Sequence, residues 1–323
     1  MSPAESLRRL LARPGLLVMP CCFDALSARL IERAGFPLTF MSGFAVSAAR
    51  LGLPDTGLVS FGEMRDQARD ICGAVSIPVI GDGDTGYGGP VNVKRTVREY
   101  ARAGLACVMI EDQLWPKRCG HTRGKQVVGF EEAVTRIRAA CEARDEGAEI
   151  LVMARTDTRA THGMEEALRR IRAFEAAGAD ILFLEGPRCV EEMRAFCAAT
   201  SRPCMANMVE GGDTPLLPPA RLEAIGFRIV AYPLTLLSAA IKAMERALAA
   251  LAAGREAGEL LLPFADLRER VGFPAYDAEA ARYGSAPTSS VSAAPRGEGK
   301  TISSAVRPCP PRSPASTTSR NRS

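Results

Sequence analysis

The chain has 323 residues, 47% of them hydrophobic and 24% charged, with a mean hydropathy of zero, which is ordinary globular composition. The longest apolar-rich stretch, residues 239–253, is interrupted by Lys242, Glu245 and Arg246, which argues against a transmembrane helix. The net charge of +4 resides at the C-terminal end: residues 285–323 carry six Arg and Lys against Glu298, leaving the rest at −1, poor material for binding nucleic acid.

Eight runs of strand length follow in chain order, at residues 16–19, 38–41, 78–80, 106–110, 150–154, 181–184, 203–205 and 228–231. Most are aliphatic or β-branched on both faces, as buried parallel strands require. Amphipathic helical stretches separate them, such as 91–103, 130–143 and 164–177. Several close on Ala-Gly, at 34–35, 103–104 and 177–178, the expected helix stop. Eight β-then-α units predict an α/β protein, a (β/α)8 TIM-type barrel within residues 1–284, with a doubly wound open sheet as the alternative. Residues 285–323, with ten Ser and six Pro and few large apolar groups, cannot repay the entropy of ordering and read as a disordered tail.

The N-terminus lacks the apolar core of a secretory signal. Ten Cys include no C-x-x-C pair, so the chain is expected to be cytoplasmic with reduced thiols. Only His121 and His162 are present, too few for a zinc site built on imidazoles; carboxylates can still hold a hard cation.

Polar groups follow nearly every predicted strand. They are Cys21, Cys22 and Asp24; Ser42 and Gly43; Asp82 and Asp84; Glu111 and Asp112; Arg155 and Asp157; Glu185; Asn207; and Tyr232. In a barrel these converge on one mouth, where such folds carry their active sites.

Gly81-Asp-Gly-Asp-Thr-Gly86 has the G-x-G-x-x-G spacing, but Asp82 and Asp84 set negative charge where a pyrophosphate would lie. The alternating carboxylates suit a divalent cation instead, with Glu111 and Asp55 completing the shell through waters. That donor set favours Mg2+, with Mn2+ possible. The plainer alternative is a structural Asp-Gly turn. Lys117-Arg118-Cys119-Gly120-His121 flanks a thiol with two cations and an imidazole, an arrangement that eases proton exchange. A basic loop with an incidental Cys is the competing explanation. Arg155 suits a carboxylate with its fork, Asn207 offers a neutral donor, and Glu185 orients Arg155 or assists proton transfer, unless it is only an ion-pair partner. Asp157 reads as a loop cap, and His162 as a loop residue. These groups together suit enolate chemistry on a small anionic substrate.

The segments GDGDTGYGG, EDQLWPKRCGHTRGKQVV, ARTDTRATHG and ANMVEGGDTPL resemble the isocitrate lyase/phosphoenolpyruvate mutase superfamily. KRCGH is similar to the KKCGH signature of its lyase branch. The resemblance runs from about residue 8 to 283 and is nearest the petal-death and 2-alkylmalate lyase branch, then the 2-methylisocitrate lyases. It implies Mg2+ at Asp82, with Asp55, Asp84 and Glu111 holding its waters, and Cys119 as general acid. Ser42, Gly43, Gly120, His121, Arg155 and Asn207 would hold substrate oxygens, with Lys117 on a closing loop and Glu185 beside it. It also implies a homotetramer, a dimer of dimers that exchange C-terminal helices from residues 255–283.

The implied activity is cleavage of the C2–C3 bond of a 2-hydroxy di- or tricarboxylate, of 2-methylisocitrate or 2-alkylmalate type, to a 2-oxo acid such as pyruvate. The alternatives are an oxaloacetate hydrolase or decarboxylase, a carboxyphosphonoenolpyruvate phosphonomutase, and, more remotely, a non-catalytic barrel that only binds. Phe40 stands where these lyases commonly have Tyr, and Phe44 replaces a Gly of the 2-methylisocitrate lyase pattern. Pro233 resembles the lyases rather than the oxaloacetate hydrolases.

Overall fold

The computed structural model describes residues 1–119 and 124–284. Eight parallel strands close on themselves: β1 Leu17–Cys22, β2 Thr39–Met41, β3 Val79–Asp82, β4 Cys107–Glu111, β5 Leu151–Thr156, β6 Ile181–Leu184, β7 Cys204–Asn207 and β8 Ile229–Tyr232. Each strand pairs with the next in the sequence, and β8 returns to β1 with Leu17 opposite Ile229. The TIM-type barrel expected from the sequence is the observed fold, and the open sheet is ruled out. Met1–Val271 forms one compact unit, and the described residues beyond it include the helix Phe273–Arg282.

Burial on both faces explains the continuous apolar runs. Along β4, Cys107 and Met109 point into the barrel core with Met19, Ile80, Met153 and Phe183. Val108 and Ile110 point outward, against the helix layer that includes Val97, Ile137 and Phe174. The short N-terminal helix Pro3–Ala12 sends Ala4 and Leu7 into the same interior cluster, so it plugs one end of the cylinder.

Helix starts follow the strands closely and are locally encoded. Asp24 caps Ala25–Arg33 by a reciprocal bond pair with Ser27, and Ser60 caps Phe61–Ala74 with Glu63. The helices predicted at 91–103, 130–143 and 164–177 appear as Pro90–Ala103, Phe130–Asp145 and Met164–Ala176. Gly104 ends the first of them in the left-handed conformation. Among the described residues no helix is long and apolar enough to cross a membrane.

Candidate active site

Cys21, Ser42, Asp82, Glu111, Arg155, Glu185 and Asn207 meet at one cavity, whereas Cys22, Asp24, Asp84, Asp112, Asp157 and Tyr232 do not line it. This cavity, about 60 Å3, is lined by Ser42, Asp55, Asp82, Glu111, Lys117, Cys119, Arg155, Glu185 and Asn207. The other part of its wall is apolar: Phe40, Phe44, Met109, Phe183, Met205, Val209, Pro233 and Leu234. Gly43 does not line it; its backbone N–H donates to Asp82 Oδ2 at 3.2 Å. Gly120 and His121 lie outside the described residues.

The carboxylate floor is built by the turn after β3. Asp82 ends the strand, and its Oδ1 accepts from the backbone N–H of Asp84 at 3.0 Å. Asp84 adopts φ 47°, a left-handed conformation that Asp tolerates better than most side chains. Gly83 lets this turn press against β4: a Cβ there would lie 2.6 Å from the carbonyl oxygen of Met109. Two backbone bonds lock the turn to β4, Gly83 N to Met109 O and Glu111 N to Asp84 O, both at 2.9 Å.

Lys117 reaches into this floor. Its Nζ stands 2.6 Å from Asp55 Oδ1 and 2.6 Å from Asp84 Oδ1, and its side chain is 4% exposed. Burial works against the ammonium, but Asp84, Asp82, Asp55 and Glu111 outweigh it and hold its pKa well above the ordinary lysine value. Burial pushes Asp82 up to about 6, assisted by the charge of Asp84. It also raises Glu111 well above the usual carboxylate range and lifts Asp55. Arg155 is fully clasped, with Nε 2.8 Å from Asp157 Oδ2 and Nη2 3.0 Å from Glu185 Oε2. Asn207 Nδ2 lies 3.3 Å from Glu185 Oε2.

The donor set fits a divalent cation held mainly through water. Four buried or nearly buried carboxylates, Asp55, Asp82, Asp84 and Glu111, face Lys117, while Arg155 is shared among Glu111, Asp157 and Glu185. Glu111 Oε1 is buried and accepts no hydrogen bond among the described residues. A buried carboxyl oxygen without a hydrogen bond is costly, and a cation or its hydration shell would relieve it. Among the described residues no three Asp, Glu, His or Cys side chains converge as direct ligands of one ion.

Four placements differ from the sequence expectations or add to them. Asp157 is no loop cap; it is wholly buried and bridges Arg155 and Lys125. Ser42 lines the cavity, yet its Oγ also caps helix Gly43–Leu51, accepting from Ala45 N at 3.4 Å. Lys125 was missed in the sequence: it lies 32 positions from its carboxylate partner, a separation no local pattern reveals. The side chain of Gln113 brackets Arg118, donating to its carbonyl at 2.8 Å and accepting from its N–H at 2.9 Å, which anchors the residue before Cys119.

The chain matches the sequence profile of the phosphoenolpyruvate phosphomutase family over residues 7–252. It belongs to that family. A 2,3-dimethylmalate lyase of Eubacterium barkeri is 46% identical to this family member over 244 residues, spanning 76% of this chain and 84% of that one. The petal death protein of Dianthus caryophyllus is 45% identical over 240 residues, 74% of this chain and 75% of that one. A solved oxaloacetate acetylhydrolase, in complex with the inhibitor 3,3-difluorooxalacetate, superimposes with a TM-score of 0.84 at 38% identity, covering 88% of this chain and 97% of that one. The superfamily membership expected from the KRCGH and GDGDTGYGG segments therefore holds. The chain is an enzyme of the superfamily's carbon–carbon lyase kind.

Proposed function

We propose that this enzyme is a Mg2+-dependent lyase that cleaves the C2–C3 bond of a 2-hydroxy di- or tricarboxylate, a substrate of 2-alkylmalate or 2-methylisocitrate type. The observation that carries the proposal is the single cavity that brings Cys119, Arg155 and the Asp82 floor together at the carboxyl ends of the strands. Its two-sided lining supports the substrate class. Carboxylates and hydroxyl meet Arg155, Asn207 and Ser42, and alkyl groups meet Phe40, Phe44, Phe183 and Met205.

Asp82, with Asp55, Asp84 and Glu111 acting through waters, would hold Mg2+. When bound there, the ion supplies stabilisation of negative charge on the substrate's oxygens. Arg155 and Asn207 bind and orient a carboxylate, and the apolar wall excludes water from the breaking bond. The hydroxyl proton departs, the C2–C3 electron pair stays with C3, and Cys119 delivers its proton to that carbon. The substrate thus divides into a 2-oxo acid and a second carboxylic acid with no net proton gained. Phe40 removes the phenol found at this position in many related lyases, so proton transfer here does not run through a tyrosine at residue 40.

The enzyme is also proposed to be a homotetramer, a dimer of dimers that exchange residues 255–283; the long helix Thr235–Ala252 supports a subunit contact. Only Leu237 is buried along its 18 residues. Ile241, Met244, Leu248 and Leu251 are exposed at three- and four-residue spacing, the seam of a helix that packs against another. Residues 1–284 form the lyase domain in this proposal and residues 285–323 an appended tail, in a cytoplasmic enzyme.

Release of the 2-oxo acid from 2,3-dimethylmalate, other alkylmalates, 2-methylisocitrate and isocitrate (pyruvate, its longer homologues or glyoxylate), and of oxalate from oxaloacetate, with and without Mg2+, tests the proposal. Mg2+-dependent release from an alkylated hydroxy acid is expected, and Cys119→Ser is expected to lower it by roughly 10²–10⁴-fold, the scale of general acid catalysis. Reaction with oxaloacetate alone would replace the lyase with a hydrolase. That second reading is favoured by the close superposition on oxaloacetate acetylhydrolase.

A further inference from the structure

Arg155 is ringed by carboxylates. Its Nε lies 2.8 Å from Asp157 Oδ2 and 3.3 Å from Glu111 Oε2; its Nη2 lies 3.0 Å from Asp157 Oδ1 and 3.0 Å from Glu185 Oε2. Three carboxylates on one guanidinium leave this corner negative, and an arriving anion would be repelled. The compensation comes from behind Asp157. Lys125 Nζ stands 2.8 Å from Asp157 Oδ1, with side chains 5% and 0% exposed. Neither Lys125 nor Asp157 lines the cavity.

A second layer fixes Asp157 in turn. The buried Asp112 accepts from the Asp157 backbone N–H at 2.9 Å, from Thr156 Oγ1 at 2.6 Å, from Thr158 Oγ1 at 3.0 Å and from Arg170 Nη1 at 2.9 Å. The two like-charged carboxylates meet only through the Asp157 backbone N–H, and each has its own cations: Arg170 for Asp112, and Lys125 and Arg155 for Asp157. Each buried charge in this stack has its partner, and a satisfied network of this kind holds one geometry.

We infer that Lys125 and Asp157 are positioning residues for Arg155: Asp157 sets the plane of the guanidinium, and Lys125 neutralises Asp157 so that Arg155 keeps its charge for a substrate carboxylate. The inference rests on the proposed role of Arg155 as a carboxylate binder. It assigns Lys125 a purpose although it touches neither substrate nor cavity.

Oxalate, a small dicarboxylate, is the probe, titrated calorimetrically into the full chain. Lys125→Met is expected to weaken oxalate about tenfold, as loss of an outer supporting partner does. It raises KM more than it lowers kcat, because the carboxylate contact serves ground state and transition state alike. Lys125→Gln is expected to behave as Lys125→Met, and Lys125→Arg to keep wild-type affinity. The deciding variant is the double change Lys125→Met with Asp157→Asn. Removing both opposite charges restores the balance at Arg155, so most of the lost affinity returns, which a mere packing role would not produce. Wild-type affinity in Lys125→Met and Lys125→Gln, or a double variant binding no better than Lys125→Met, overturns the inference. Should the wild-type enzyme release a 2-oxo acid from none of the hydroxy acids while oxalate follows the expected pattern, the lyase proposal falls and this one stands.

Discussion

At the residue scale, the floor of the cavity depends on one missing side chain as much as on its carboxylates. A Cβ on Gly43 would lie 2.5 Å from Asp82 Oδ2, the oxygen its own N–H now holds at 3.2 Å. Gly43→Ala therefore displaces the carboxylate proposed to hold Mg2+. Calorimetric titration is expected to show Mg2+ affinity lowered on the order of ten- to hundredfold, as when a ligand's support is lost. Unaltered Mg2+ affinity in Gly43→Ala would remove Asp82 from the metal's shell. Individual residues were legible to unequal degrees. Cys119 stood out because its cationic neighbours are adjacent in the sequence. The partners of Lys117 were not legible: Asp55 and Asp84 come from two separate turns that only the closed barrel brings together.

At the scale of elements, the end of β5 concentrates buried charge. Burial works to raise the pKa of Asp157, but Arg155 and Lys125 outweigh it and hold the carboxyl below its ordinary range. The folded pKa lies under the unfolded value of about 3.9, so the stability Asp157 contributes is full above that pH and is lost as pH falls toward the folded pKa. Urea unfolding between about pH 5 and 2 is expected to show wild type losing stability below about pH 4 more steeply than Asp157→Asn. Parallel curves would mean that Asp157 carries no such linkage. The eight strands themselves were readable because burial on both faces leaves uninterrupted apolar runs, and the Ala-Gly stops marked helix ends. The stack of Arg170, Asp112 and Asp157 was not: Arg170 lies 58 positions from Asp112 and reads in sequence as an ordinary helix arginine.

At the scale of the whole molecule, the proposed subunit contact rests on a helix with one buried side chain in 18 residues. Leu248→Glu, in the middle of the exposed seam, is expected to shift the enzyme to a smaller species in sedimentation velocity; an unchanged species would place the subunit contact elsewhere. The central claim is that Cys119 gives its proton to the carbon released when the C2–C3 bond breaks over the carboxylate floor. Turnover in deuterated water, with the second acid product followed by NMR, tests this directly. One deuterium at the former C3 position is expected from the wild-type enzyme, with formation of that product largely abolished in Cys119→Ser; full-rate deuteration by Cys119→Ser, or a product carrying no solvent deuterium, would contradict the account.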